Sequence, residues 1–164
     1  MSSKKRYVQV GVGSRSMMFS HALLGDLSEH GELVAICDIN PGRLSYANEL
    51  FKEKFGVGPL PAYAPAVPAK MIRENRADAV IVTSMDRTHH HYIVRAMEAG
   101  CDVITEKPMT IDADKAAAIL DAVERTGRKL RVTFNYRYAP RNSRVKELLM
   151  QGVIGEVKSV HFEW

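Results

Sequence analysis

The stretch "YVQVGVGSRS", Tyr7 to Ser16, decides the fold. It reads as a strand over Tyr7 to Gly13 that runs into glycines, followed by a helix over about Ser16 to Glu29. A strand that empties through a glycine turn into a helix opens a βαβ unit. The next segment agrees: "ELVAICD", Glu32 to Asp38, is a near-continuous apolar run ending in an acid, as expected of a parallel strand covered on both faces. Asn40 is a good N-cap and Pro41 a good first helical residue, and Leu44, Ala47, Phe51 and Phe55 recur at helical spacing toward Gly56.

The alternation continues. Glycines and prolines make "GVGPLPAYAPAVP", Gly56 to Pro68, an irregular connection, with a short helix near Ala69 to Asn75. "DAVIVTS", Asp78 to Ser84, is the next strand; Thr88 caps a helix carrying Ile93, Ala96 and Met97, and Gly100 stops it. In "DVITEKPMT", Asp102 to Thr110, a strand ends on Glu106, Lys107 and Pro108, an acid, a base and a ring with no N–H to give a ladder. Ala116, Ile119, Leu120 and Val123 then form a helical stripe, with Asp112 and Asp114 in the first turn complementing the positive helix end and Gly127 as stop. "KLRVTFNY" places Leu130, Val132 and Phe134 on one face of a further strand. A last helix spans Pro140 to Met150 before Gly152, and "EVKSVHFEW" reads as a closing strand. The pattern predicts an α/β protein, a three-layer αβα doubly wound parallel sheet.

The bulk composition narrows the class. The 164 residues are 46% hydrophobic and 26% charged, which suits an ordinary globular domain. Apolar runs such as Leu33 to Cys37 are far below the roughly 20 residues that cross a bilayer, so no membrane association is expected. The amino terminus lacks the apolar run of a signal peptide, and the two cysteines, Cys37 and Cys101, make no disulfide framework; a cytoplasmic protein with free thiols is expected. The net charge of +4 is spread along the chain among acids, which argues against a nucleic-acid partner and suits an anionic small molecule.

Gly11, Gly13 and Ser16 form a G-x-G-x-x-S turn between the first strand and helix, where a dinucleotide fold seats its pyrophosphate. Gly11 permits the tight turn, Gly13 brings backbone close to phosphate, and the helix that follows Ser14 presents unpaired N–H groups to the anion. Ser16 stands where a third glycine would pack helix on strand. Asp38, ending the second strand, can accept both hydroxyls of the adenosine ribose and repel a 2′-phosphate, which favours NAD over NADP. Alternatively the glycines make a structural turn and Asp38 caps a helix. Arg15 and Arg43 could each lie at the adenosine end, accommodating a 2′-phosphate or stacking on adenine, so NADP stays possible.

"GVGSRS", "AICDINPGR", "IVTSMDRTHHHYIVRAMEAG", "CDVITEKPMT" and "FNYRYAP" together resemble the amino-terminal half of the Gfo/Idh/MocA oxidoreductases, over nearly the whole chain. The most specific piece is "AGCDVITEKP", which is similar to the family's A-G-x-x-V-x-x-E-K-P signature. The resemblance implies an NAD(P)-binding Rossmann domain over residues 1–130. Residues 131–164 would be a crossover and the first strand of a C-terminal α/β domain that the chain lacks, so a fragment is expected. It implies a sugar or polyol substrate, a homo-oligomeric full-length protein, and Glu106 near the nicotinamide ribose with Lys107, the catalytic lysine, on the substrate oxygen. It also implies that Pro108 closes a turn holding a cis Lys107–Pro108 bond. The segment Thr83, Ser84, Met85, Asp86 would pass the cofactor, His89, which follows that loop, would contact the cofactor, and Asn135 to Tyr138 would enter the active-site region. Met85 stands where the family commonly has proline, and the second domain's histidine and aspartate have no counterpart here.

Other clusters have plainer readings. His89, His90 and His91 are consecutive on a helix, point about 100° apart and cannot converge on one ion, so no metal is expected. Tyr136 could donate a proton, but "FNYRY" alternates as a strand would, and packing is the simpler role. Two further functions compete with a dehydrogenase: a non-catalytic nucleotide-binding sensor, and an NAD-dependent glycoside hydrolase using transient oxidation. The chain alone is expected to turn over little or nothing.

Overall fold

The computed structural model describes residues 4–66 and 68–163; Val67 in the irregular connection and Trp164 at the end of the expected last strand lie outside them. Six parallel strands, β1 (Lys5–Val10), β2 (Gly31–Cys37), β3 (Ala62–Tyr63), β4 (Ala79–Val82), β5 (Asp102–Glu106) and β6 (Leu130–Thr133), form one sheet in the order β3-β2-β1-β4-β5-β6. Helices α1 (Met17–Leu24) and α2 (Pro41–Phe55) pack on one face around Leu33, Ile36, Ala47 and Phe51. On the other face α3 (Pro68–Glu74), α4 (His89–Glu98) and α5 (Ala113–Thr126) cover Val8, Val80 and Val103 with Met71, Ile93, Met97 and Ile119. Burial of each such aliphatic or aromatic side chain contributes roughly 1.5–3 kcal/mol, which is why the central strands are apolar on both sides. The strand order reverses between β1 and β4, and ligands of open α/β sheets sit at that crevice beyond the carboxyl ends.

Local chemistry accounts for most boundaries. Asn40 caps α2 by accepting from the N–H groups of Gly42 and Arg43 at 2.9 and 3.3 Å. Asp112 does the same for α5, accepting from Lys115 N, and Gly56 and Gly127 end the two helices in the left-handed region. The Lys107–Pro108 bond is cis.

Six expectations need correction. Helix α1 stops at Leu24 rather than near Glu29, because Gly25 leaves helical angles and the chain turns through residues 25–30. Strand β3 lies inside the connection expected to be irregular; two residues suffice because Asp38 N reaches Tyr63 O and Ile36 N reaches Pro61 O. Thr88 stands at the N-cap of α4 as expected, but its hydroxyl accepts no capping bond and donates instead to Met85 O at 2.6 Å. Leu120 is exposed, and Ala122 joins Ile119 in the core instead. Phe134 is not in a strand: β6 ends at Thr133, and "NYRY" is a 3-10 turn, Asn135–Tyr138, closed by Arg137 N on Phe134 O. Residues 156–163 form no strand, having no neighbouring strand to pair their backbone groups.

The chain divides after Thr133 into two compact units. The second contains the Asn135–Tyr138 turn, joined to α6 (Pro140–Met150) by Asn142 Nδ2 donating to Tyr136 O at 2.7 Å.

Candidate active site

Gly11 follows β1 with φ of +90°, and its N–H donates to Cys37 O at 2.7 Å. A Cβ built there would lie 2.5 Å from Thr83 O and 2.6 Å from Ser84 N, so only glycine lets the turn rest on the end of β4. Behind it is a buried polar network. Gln9 Nε2 donates to Ser16 O at 3.1 Å and to Thr83 Oγ1 at 3.2 Å, Ser20 donates to Gln9 Oε1 at 2.7 Å, and Thr83 donates to Gly11 O at 2.7 Å. Every buried polar atom of Gln9 is thus satisfied, and the turn is held from below. Ser16, fully buried, donates its hydroxyl to Gly13 O at 2.6 Å, which shows why serine serves where a third glycine would be expected.

A cavity of about 360 Å³ opens above this turn. Eight of the expected cofactor residues line it: Gly11, Gly13, Ser14, Arg15, Asp38, Arg43, Thr83 and Ser84. Met85, in the segment expected to pass the cofactor, adds an apolar wall, as do Ile39 and Tyr92, which were not singled out. Tyr92 stays a phenol, its pKa pushed up by burial and then by Cys37 and Asp38. Gly13 lines this space, and an added Cβ there would meet nothing within 4 Å, leaving an open cradle. Asp38 is buried and accepts from Val12 N and Asn40 N, each at 2.9 Å, through different oxygens. A carboxylate offers about four acceptor sites, so capacity for hydroxyl donors remains. The cradle, the acid and the apolar walls fit an adenosine diphosphate moiety.

Asp86, His89, Glu106, Lys107 and Asn135 do not line the cavity. Asp86 is exposed. His89, 1% exposed, ties two loops together, with Nδ1 2.8 Å from Pro108 O and Nε2 3.0 Å from Ser84 O. Glu106 is buried at the end of β5, with Thr133 donating to Oε1 at 3.0 Å and Arg15 Nε 3.1 Å from Oε2. Of the two arginines lining the cavity, Arg15 engages Glu106, whereas Arg43 lies 3.8 Å from Asp38. Lys107, the next residue, is exposed and makes no hydrogen bond or ion pair with the described residues. Asn135 belongs to the second unit. Among the described residues no group of three or more His, Cys, Asp or Glu is placed to hold a metal, and no helix is long and apolar enough to cross a membrane.

Burial pushes the Cys37 thiol up to about 12, helped by the Asp38 charge, and Cys101 up to about 11, helped by Asp78 and Asp102. The folded thiols keep their protons while unfolded ones ionise, so this contribution to stability is present below about pH 9 and lost as pH rises toward 11 and 12. Thiol titration at pH 8 is expected to find neither cysteine reactive in the native chain and both reactive after denaturation.

Fold and cavity define the class: a Rossmann domain built to hold a dinucleotide at its topological switch point. The comparisons name the family. A sequence model described as an oxidoreductase family with an NAD-binding Rossmann fold, Gfo/Idh/MocA, matches residues 5–134. The chain belongs to this family. It is 35% identical to the putative oxidoreductase YteT of Bacillus subtilis over 161 residues, 98% of this chain and 37% of that protein. It is 35% identical to the D-glucoside 3-dehydrogenase of Escherichia coli over 77% of this chain and 34% of that enzyme. The chain therefore spans little more than a third of these relatives. Among solved structures it resembles the WlbA dehydrogenase of Bordetella pertussis in complex with NADH and UDP-GlcNAcA, at 26% identity and TM-score 0.74 over 92% of this chain and 43% of that one. KijD10, a 3-ketoreductase from Actinomadura kijaniata in complex with NADP, aligns at 28% identity and TM-score 0.75, covering 95% and 47%.

Proposed function

We propose that this chain is the cofactor-binding part of an oxidoreductase that uses NAD in preference to NADP to interconvert a hydroxyl and a carbonyl on a sugar or polyol. The observation that carries the reading is the carboxyl edge of the sheet. The turn after β1 and the acid after β2 wall the cavity there, and β5 ends at that edge with Glu106 locked and Lys107 free. Gly11, Gly13, Ser14, Arg15, Asp38, Arg43, Thr83 and Ser84 would hold the dinucleotide, whose nicotinamide supplies and accepts hydride when bound. Lys107 would donate a hydrogen bond to the substrate oxygen and, as the amine, take its proton on oxidation. Glu106, anchored on two sides, would set the strand end from which Lys107 leaves. His89 would act from behind by joining the Ser84 and Pro108 carbonyls.

Residues from Phe134 onward would lead into a second domain that completes the substrate site and mediates homo-oligomers. Two buried, unpaired cysteines suit a reducing, cytoplasmic setting. The test is a panel of inositols and glucosides with full-length protein and NAD. NADH accumulation with a keto product is expected. Aglycone release without net NADH would assign transient-oxidation hydrolysis instead, and nucleotide binding without any product would assign a sensor.

A further inference from the structure

One side chain joins two parts of the site that lie apart in sequence. Arg15 sits on the turn after β1, Glu106 ends β5, and β4 lies between those strands, so the Arg15 Nε to Glu106 Oε2 contact of 3.1 Å spans the carboxyl edge. The two ends of the pair differ. The Glu106 side chain is 6% exposed and its second oxygen is taken by Thr133, while the Arg15 side chain is 43% exposed and the residue lines the cavity. A buried carboxylate needs its cation. A guanidinium, however, carries five N–H donors in a planar fork, and Glu106 meets it as an ion pair nearest Nε, without a hydrogen bond. Its side-chain N–H groups hydrogen-bond to no described residue and remain for an anion in the cavity that Arg15 lines. Lysine, a single point charge, could not serve two acceptors in fixed directions in this way.

We propose, resting on the dinucleotide reading above, that Arg15 is a positioning residue which pairs its charge with Glu106 and gives its N–H fork to the cofactor pyrophosphate. Seating the phosphates then fixes the strand end that carries Lys107. The anchor works in both directions: Glu106 removes rotamer freedom that Arg15 would otherwise lose on binding phosphate.

The test is a double-mutant cycle in this chain with three probes: NADH, ADP-ribose, which keeps the pyrophosphate without nicotinamide, and adenosine, which has neither. Arg15→Met is expected to weaken NADH and ADP-ribose about tenfold and to leave adenosine within about twofold. Glu106→Gln is expected to weaken both phosphate-bearing ligands about threefold, and the double variant to bind no more weakly than Arg15→Met alone. Should Arg15→Met not fold, Arg15→Lys replaces it in the cycle, with a smaller loss and the same disappearance of the Glu106 effect. Independent, multiplicative losses, or an adenosine loss equal to that of ADP-ribose, would overturn the coupling. Failure of the unaltered chain to bind either NADH or ADP-ribose would remove the cofactor reading, and the coupling with it.

Discussion

Gly11→Ala is expected to unfold the chain partly or to leave it about 3 kcal/mol less stable, with dinucleotide binding lost. The strain has two parts. A φ of +90° costs an L-residue about 1–3 kcal/mol, and the new methyl would overlap Thr83 and Ser84 backbone, which no side-chain rotation can relieve. Gly13→Ala supplies the contrast. Its methyl meets no protein atom within 4 Å, so stability should change by less than about 1 kcal/mol while dinucleotide affinity falls, because the methyl occupies the cradle. Urea unfolding and NADH titration of the two variants separate these outcomes. Equal stability of both would show that the turn does not rest on β4 as described.

Lys107→Ala in the full-length protein is expected to lower turnover by about 10³ while cofactor affinity changes less than about threefold. The side chain is exposed, bonds to no described residue and does not line the cavity, so its removal disturbs neither packing nor the dinucleotide seat. The split between kcat and cofactor affinity is the diagnostic. Unchanged turnover would take the proton-handling role from Lys107.

What could be read from sequence was what is encoded over a few neighbouring residues. The glycine turn, the Asn40 cap on Pro41 and the terminating Gly127 each act within a turn or two of chain, and each stands where expected. The eight expected residues that line the cavity followed because the turn, the acid and the end of β4 share one sheet edge. Long-range links were not legible. Arg15 is one of many arginines until β5 is placed two strands away, and nothing near Glu106 announces Thr133. Gln9 carried a faint signal, a lone amide among apolar strand residues, but its bonds to Ser16 and Thr83 need the folded sheet. "FNYRY" misled because alternation over five residues is met equally by a 3-10 turn ahead of Pro140. The two-residue β3 carries no period at all and exists only because β2 offers it an edge.

The central claim is that this chain seats a dinucleotide against the Gly11–Gly13 turn with Asp38 at its ribose. Thermal unfolding in the presence of NAD and of NADP, titrated separately, tests it most directly. Saturation at a hundred times the dissociation constant should stabilise the chain by about 2.7 kcal/mol, at lower concentrations of NAD than of NADP. No shift with either nucleotide would contradict the account.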